Sequence, residues 1–239
     1  RERLFMNSLR AEESRIRAAY ERRAATDAHC PWFDHGHLFM VQQLERRIWA
    51  SLRLHGLDPL HSRRILEVGC GTGHWLRQFI QWGASPENLM GVDLLEGRVA
   101  QAKRLCSSHV KIHRANAATL DFADASFDLV FQGTVFTSIL DSELKAQVAA
   151  EMIRVTKDDG LILWYDFRVD NPWNPDVRGV NRHEIQRLFP ACRVTLRRVT
   201  LAPPVVRRLA PYSWMGCYLL EKIPWLCTHY LGVIQKPRQ

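Results

Sequence analysis

The chain has 239 residues, 46% of them hydrophobic, which is enough for one large domain with its own apolar core. Its formal net charge is +8, and residues 166–239 carry most of the excess, with 12 Lys or Arg against 5 Asp or Glu. No apolar run reaches the roughly 20 residues that a membrane-spanning helix needs. No signal peptide is recognisable either, so the composition excludes the membrane-spanning and secreted classes from our expectations.

The six cysteines are scattered along the chain, and none forms a C-x-x-C pair. This spacing argues against a zinc ribbon or a redox motif and is typical of reduced thiols. We therefore expect a cytoplasmic protein. The sequence His35-Gly36-His37 is a candidate metal pair, but no third ligand accompanies it, so no metal is expected.

Residues 1–60 are predicted to form a helical extension of two helices. The first is highly charged and has few helix breakers, and the second carries an apolar stripe formed by Leu38, Val41, Leu44, Ile48 and Leu52. An aromatic and histidine-rich loop, "TDAHCPWFDHGH", separates them. Because this segment precedes the first strand of the domain, we expect it to act as a lid over the active site.

From Arg63 onward, short apolar runs alternate with helical segments. The seven predicted strands are "RILEVG", "LMGVDL", "VKIHRAN", "FDLVFQG", "LILWYDF", "RVTLRRVTL" and "THYLGVIQK". This alternation predicts an α/β fold, a Rossmann-like, mostly parallel seven-stranded sheet with helices on both faces. Residues 61–239 would form this domain, with a helical insertion at about 203–225 between the last two strands.

A glycine-rich turn follows the first predicted strand, in the stretch "ILEVGCGTGHW". Its glycines, Gly69, Gly71 and Gly73, do not match the dinucleotide fingerprint, because His74 occupies the third glycine position. No Lys follows Gly73, so the turn is not a P-loop. Glycines allow a ligand to approach the backbone closely, and ligands bind at the carboxyl ends of strands in open α/β sheets.

The run Glu67-Val68-Gly69-Cys70-Gly71-Thr72-Gly73 resembles the first motif of class I S-adenosylmethionine-dependent methyltransferases. The resemblance extends over roughly residues 60–239. It implies that S-adenosyl-L-methionine is the cofactor and S-adenosyl-L-homocysteine the product. It also implies that the three glycines, with Cys70 between them, line the methionine and ribose portion, and that Glu67 acts near the amino group.

Later landmarks agree with this resemblance in order and spacing. Asp93 ends the second predicted strand twenty residues after Gly73, where a carboxylate can accept both ribose hydroxyls. In "RANAATLDF", Asn116 stands where the family usually has Asp, yet its side chain still offers an acceptor to adenine. The other cofactor-binding residues that the resemblance implies are Leu94 and Ala117 beside adenine, and Gln132 and Gly133 beside the methionine end.

The segments after strands four and five predict the class of acceptor. The motif (Asn/Asp)-Pro-Pro-(Tyr/Phe) of amino-group methyltransferases is absent, since "FQGTVFTS" stands there instead. The stretch "LILWYDFRVDNPWNPDVRGVNRHEIQRLFP" resembles bacterial stand-alone methyltransferases of small molecules. We therefore expect methylation of a hydroxyl oxygen on a natural product or glycan. The alternatives are N- or C-methylation of a small molecule or lipid, a nucleic-acid substrate held by the basic C-terminal third, and a cofactor-binding scaffold without activity.

Candidate catalytic and substrate residues come from the same segments. A neutral imidazole can deprotonate a hydroxyl, and the histidine candidates are His37, His35 and His183. The non-histidine candidates are Asp166 and Tyr165, and the substrate candidates are Phe136, Arg168, Tyr212 and Trp214. The basic, aromatic segment 203–226 could instead contact a membrane surface peripherally. A nucleic-acid partner is disfavoured, and the oligomeric state is left open.

Overall fold

The computed structural model describes residues 2–26 and 33–237. Its helices are α1 (Glu2–Thr26), α2 (His35–Leu54), α3 (His74–Gln81), α4 (Glu96–Leu105), α5 (Ser142–Val155), α6 (Arg182–Leu188), α7 (Pro203–Leu209) and α8 (Trp214–Leu220). Its strands are β1 (Ile65–Val68), β2 (Leu89–Asp93), β3 (Lys111–Arg114), β4 (Phe127–Gly133), β5 (Thr156–Phe167), β6 (Arg193–Leu201) and β7 (Cys227–Gln235). Part of the predicted aromatic loop, residues 27–32, lies outside the described residues.

The seven strands form one sheet in the order β3-β2-β1-β4-β5-β7-β6. Strands β1 to β5 are parallel, whereas β7 runs antiparallel to both of its neighbours. The predicted seven-stranded, mostly parallel α/β fold is therefore confirmed. Because β7 separates β5 from β6, these two strands point the same way, and β6 ends at the sheet edge where β1, β4 and β5 end.

Helices cover both faces of the sheet. One face packs against α5 and α6 and also meets Ile16 of α1, and the other packs against α2, α3 and α4. All four residues of β1 are buried, as expected for a central parallel strand with helices on both sides.

Helix α2 belongs to the core. The Asp34 side chain caps its first turn by accepting a hydrogen bond of 2.6 Å from the His37 backbone N–H. Further along, Leu44, Ile48 and Leu52 of the predicted stripe are buried against the sheet. The start of α2 packs against the predicted insertion, which consists of α7 and α8, and together they form a small third cluster around Val206.

Two negative findings concern the described residues. No helix in this part of the chain is long and apolar enough to cross a bilayer. No three His, Cys, Asp or Glu side chains in it converge as metal ligands.

Candidate functional site

The glycine turn connects β1 to α3 in a conformation that L residues rarely adopt. Gly69, Gly71 and Gly73 have φ angles of +69°, +52° and +76°. A Cβ on Gly69 would overlap Val135 Cγ2, and one on Gly73 would lie 2.5 Å from Cys106 Sγ. Both the backbone conformation and the space therefore require glycine at these two positions.

Asp93 at the end of β2 holds this turn in place. Its Oδ2 accepts a hydrogen bond of 2.8 Å from the Gly71 N–H, and its Oδ1 accepts one of 2.8 Å from the Leu95 N–H. Each carboxylate oxygen has a second lone pair, so the side chain can still accept hydroxyl groups. The carboxylate is thus fixed beside the glycine turn, as a ribose-binding acidic residue must be.

Glu67 lies in β1 just before the turn and is buried. Its Oε2 has no hydrogen-bond partner among the described residues. Burial raises the pKa of this carboxyl group well above its usual range, and the nearby Asp93 charge raises it further. A positively charged group bound beside Glu67 would favour the ionised carboxylate and satisfy its free oxygen. The amino group of S-adenosylmethionine has the charge that this position requires.

Asp93 and Gly69, the first glycine of the turn, border a pocket at the carboxyl ends of β1, β2 and β4, whereas Glu67 does not line it. Predicted cofactor residues that line it are Gly69, Asp93, Leu94, Asn116, Ala117 and Gly133. Helix α1 forms the opposite wall with Glu13, Ile16 and Tyr20. The lining residues therefore fit the nucleoside part of S-adenosylmethionine, with an acceptor for its ribose hydroxyls and apolar contacts for adenine.

Asn116 connects the adenine end of this pocket to α1. Its Oδ1 accepts a hydrogen bond of 2.9 Å from the Ala118 N–H, and its Nδ2 donates one of 2.5 Å to Glu13 Oε1. Glu13 thus holds the amide at the position predicted to read adenine.

Cys70 and Gln132 were predicted to contact the cofactor, but the structure places both behind the pocket wall. Cys70 packs in the apolar cluster on the face of the sheet covered by α2, α3 and α4, and burial raises the pKa of its thiol. Gln132 is fully buried; its Nε2 donates to the Tyr165 carbonyl at 3.3 Å and its Oε1 accepts from the Val135 N–H at 3.0 Å. Gln132 therefore supports the segment after β4 from within the core.

Thr134 follows β4 and borders two cavities. Its φ of +62° is unusual for a β-branched residue and is held by a hydrogen bond of 2.8 Å from its N–H to the Tyr165 carbonyl. Such strained backbone is concentrated at functional sites. Thr134 lines both the cofactor pocket and a second cavity next to it.

The second cavity shares Tyr20, Thr134 and Ser138 with the first. The segment between β5 and α6 forms its far wall. Residues of this wall include Phe167, Val169, Asn171, Val177 and Arg178. This cavity combines apolar surface with an amide and a guanidinium, so it can hold an organic molecule with polar substituents.

Asp166 and Tyr165 are buried and line neither cavity. Asp166 accepts hydrogen bonds from the backbone N–H groups of Phe136 and Thr137 and from Thr137 Oγ1, at 2.9, 3.2 and 2.6 Å. Burial raises the pKa of Asp166 to about 7. The Tyr165 hydroxyl is 2.9 Å from Thr200 Oγ1. Both side chains hold the segment after β4 and the neighbouring strands in place.

The histidines predicted as bases do not line either cavity. His35 and His183 are exposed on the surface. His37 is half-buried in the first turn of α2, where burial lowers its pKa although Asp34 opposes the shift. Burial also lowers the pKa of His74, at the start of α3, to about 4. His37 lines neither of the two cavities.

The four predicted substrate residues also lie elsewhere, which corrects their assignment. Phe136 is fully buried between Trp164 and Phe189 in the core. Arg168 donates from Nε to the Cys227 carbonyl at 2.9 Å and so joins β5 to β7. Tyr212 and Trp214 lie in the α7–α8 segment, which packs on α2 and lines neither of the two cavities described above.

Sequence reasoning missed the contributions of α1 and of the segment after β5. In α1, the residues that reach the pocket are spaced three to four apart, at Glu13, Ile16 and Tyr20, and so form one helix face. This spacing could have predicted a buried helix face, but the charged residues on either side of these positions obscure the pattern. Arg178 stands in a stretch rich in Pro and Asn, whose path no periodicity predicts.

Comparison with known proteins agrees with this site. The family described as "Methyltransferase domain" matches residues 65–160, which run from β1 into β5. The chain is 36% identical over 111 residues to an uncharacterized protein of Haemophilus influenzae, covering 44% of this chain and 43% of that protein. It is 28% identical over 184 residues to a demethylmenaquinone methyltransferase of Shouchella clausii, covering 74% of this chain and 71% of the relative. The chain therefore matches less than half of the length of the Haemophilus influenzae protein.

Solved structures share the fold. An S-adenosylmethionine-dependent methyltransferase from Mesorhizobium loti superposes with a TM-score of 0.56 at 15% identity, covering 79% of this chain and 97% of that one. The [4+2]-cyclase SpnF gives a TM-score of 0.61 at 18% identity, with 83% of each chain covered. Since a cyclase shares this fold, the fold alone does not determine the reaction.

The glycine turn, Asp93 and Asn116 all fall within the matched family segment, and the strand order is that of the relatives' fold. Residues 65–160 of the chain form a methyltransferase domain of the class I S-adenosylmethionine-dependent type.

Proposed function

We propose that this chain transfers the methyl group of S-adenosylmethionine to a small organic acceptor bound in the second cavity. The observation that carries the proposal is the junction of the two cavities at Tyr20, Thr134 and Ser138. One cavity is lined by Asp93, Gly69 and Asn116, which suit the cofactor. The other is lined by Thr134, which directly follows Gly133 at the predicted methionine end.

When bound, S-adenosylmethionine supplies a sulfonium methyl group that is already activated for displacement. Asp93 would hold the ribose hydroxyls, Glu67 the amino group, and Asn116 the adenine edge. Arg178 and Asn171 would orient polar groups of the acceptor. Alignment of this kind can supply much of the rate acceleration, which fits a site where no predicted histidine lines a cavity.

Two nucleophiles are candidates. A hydroxyl oxygen of a natural product or glycan is our first, as the sequence predicts, and the polar side chains of the second cavity suit it. A ring carbon is the second, because several curated relatives are demethylmenaquinone methyltransferases. The apolar residues Phe167, Val169 and Val177 would suit an aromatic ring of that kind.

Calorimetry with S-adenosylmethionine tests the cofactor site. Asp93→Asn keeps the side-chain shape but removes the charge, and we expect it to weaken binding by roughly tenfold or more, as for loss of a charged hydrogen-bond partner. Gly71→Arg should abolish binding by filling the pocket beside the turn. Glu87→Gln removes an exposed carboxylate and is the matched control. Unchanged affinity in the Asp93 and Gly71 variants would refute the assignment.

Transfer of a labelled methyl group tests the acceptor site. The panel should contain hydroxylated natural products, sugars and quinols, and NMR of the product identifies the methylated atom. Arg178→Ala should raise KM for the acceptor without changing cofactor affinity. If the chain binds the cofactor tightly but transfers no methyl group to any acceptor class, the scaffold alternative is favoured instead.

Helix α1 is proposed as a lid over both cavities. Its Tyr20 hydroxyl lies 3.0 Å from Ser138 Oγ, and Arg15 Nη2 donates to the Ser138 carbonyl at 2.6 Å. Because Tyr20 lines both cavities, a movement of α1 would widen the access to both at once. A closed helix would exclude water and fix the acceptor against the methyl group.

A further inference from the structure

An apolar surface remains exposed on the α7–α8 segment after it has packed on α2. On α8 and the short turn that follows, the exposed side chains are Trp214, Met215, Tyr218, Leu219, Ile223 and Trp225, which we call the α8 face. Leu219 is 61% exposed and Trp225 is 80% exposed. The opposite side of α8 is packed against the rest of the protein, since Cys217 is buried in the third cluster. Contiguous exposed apolar surface of this kind marks an interaction site.

Cations surround the α8 face. Lys222 Nζ lies 4.2 Å from the centre of the Tyr218 ring, and the Arg46 guanidinium lies 5.9 Å from it. Arg207 and Arg208 are exposed in the last turn of α7. The face therefore combines aromatic and aliphatic side chains with a positively charged rim.

No exposed carboxylate opposes these cations within residues 203–226. The one acidic residue there is Glu221, whose side chain is 2% exposed. Its carboxylate is within 3.4 Å of Arg46, 3.6 Å of Arg47 and 3.5 Å of Lys222. Three cations thus share one buried carboxylate, which leaves an excess of positive charge at the surface.

The α8 face also lies at the edge of the sheet where the two cavities open. Strand β6 ends at Leu201 on the same edge as β1, β4 and β5, and α7 begins two residues later. A flat surface bound by the α8 face would therefore lie near the carboxyl ends of the strands that form the site.

We propose that the α8 face docks on the surface of an anionic lipid bilayer. Trp and Tyr side chains are suited to the boundary between headgroups and acyl chains, and Leu219, Met215 and Ile223 would supply the buried apolar area. Lys222, Arg46 and Arg208 would be attracted by anionic headgroups. A second copy of this chain is a poorer occupant, because it would bring two cationic rims together.

Sedimentation with lipid vesicles tests this docking on the full chain. We expect binding to vesicles of phosphatidylcholine with phosphatidylglycerol and little binding to phosphatidylcholine alone. The double variant Leu219→Ser with Trp225→Ser should reduce the partition coefficient by roughly tenfold or more, since two apolar anchors are lost. The matched control is Leu54→Ser, because Leu54 is 70% exposed at the far end of α2.

A second double variant, Arg208→Gln with Lys222→Gln, tests the charges. Each cation removed should lower binding by about fivefold, and added salt should weaken the wild type in the same way. Cofactor affinity and the unfolding midpoint show that each variant is folded, independently of methyl transfer. The proposal is refuted if the wild type does not bind anionic vesicles. It is also refuted if the α8-face variants bind them normally, or if they abolish only self-association of the chain.

Discussion

The first two helices differ in how they join the molecule, although both precede the domain. Helix α2 contributes Leu44, Ile48 and Leu52 to the apolar cluster beneath the sheet. Helix α1 reaches the rest of the chain largely through polar side chains, such as Glu12, which accepts from the Leu140 N–H at 2.6 Å. One helix is part of the core, and the other lies over the cavities.

The difference shows how one predicted extension can have two roles. An apolar stripe gains most of its stabilisation from burial, which is costly to undo. Hydrogen bonds at a partly exposed surface contribute about 1 kcal/mol each, so a helix held by them can open. The proposed lid therefore applies to α1, whereas α2 forms part of the scaffold.

Shortening a core side chain of α2 should have the largest effect on stability. Ile48 is fully buried, and Ile48→Ala should lower the free energy of unfolding by about 2–5 kcal/mol, as for other large-to-small changes in a core. Urea denaturation measures this, and cofactor affinity of the folded protein should not change. Ile16→Ala in α1 is the comparison and should lower the free energy of unfolding by a smaller amount. Equal costs for the two variants would contradict the division between scaffold and lid.

Removing residues 1–26 should leave a folded domain with poor turnover. Loss of the lid would admit water and loosen the acceptor, and misplacement of reacting groups can cost roughly 10²-fold in rate. Circular dichroism and calorimetry of unfolding check the fold, and labelled methyl transfer measures the rate. A truncated chain with full activity would show that α1 has no part in catalysis.

Weakening one contact of α1 should open it without detaching it. Tyr20→Phe removes the hydrogen bond to Ser138, which should destabilise the closed position by about 1 kcal/mol, or roughly fivefold in the open population. Hydrogen exchange of the α1 amides measures the opening. Tyr212→Phe removes an exposed hydroxyl and is the control. The interpretation fails if both variants exchange at the wild-type rate.

Acid should loosen α1 but not the buried part of α2 that contains Leu44, Ile48 and Leu52. Burial raises the pKa of Glu12, yet hydrogen bonds from Arg15 and the Leu140 N–H outweigh it and hold the pKa below its usual 4.5. Because the folded pKa is lowered, the stabilisation is complete above pH 4.5 and is lost as pH falls through the folded value. Protection of the α1 amides, corrected for intrinsic exchange, should fall there.

Glu12→Gln should make that protection less dependent on pH in the acid range, at a lower level; Asp176, which pairs with Arg15 and Arg22, keeps the remaining dependence. The amides of Leu44, Ile48 and Leu52 in α2 serve as the internal reference, since the apolar packing that buries these residues does not titrate. Parallel loss of protection in both helices would indicate general acid unfolding instead.

Local patterns determined much of this protein. The alternation of apolar runs and helices predicted the sheet, and the spacing of Gly69, Gly71, Gly73 and Asp93 predicted a cofactor pocket at its edge. These features depend on neighbouring residues and on strand direction, so they can be predicted from the sequence alone. The stripe of α2 is another example, because its period is the period of the helix.

Tertiary structure decided which side chains meet in the cavities. Phe136 and Asp166 stand beside the site in sequence, yet one packs in the core and the other holds the backbone after β4. Glu13 and Tyr20 lie more than a hundred residues away from Asn116 and Ser138 and still reach them. Such contacts depend on how a helix docks across the end of a sheet, and the spacing of residues along the sequence does not predict this docking.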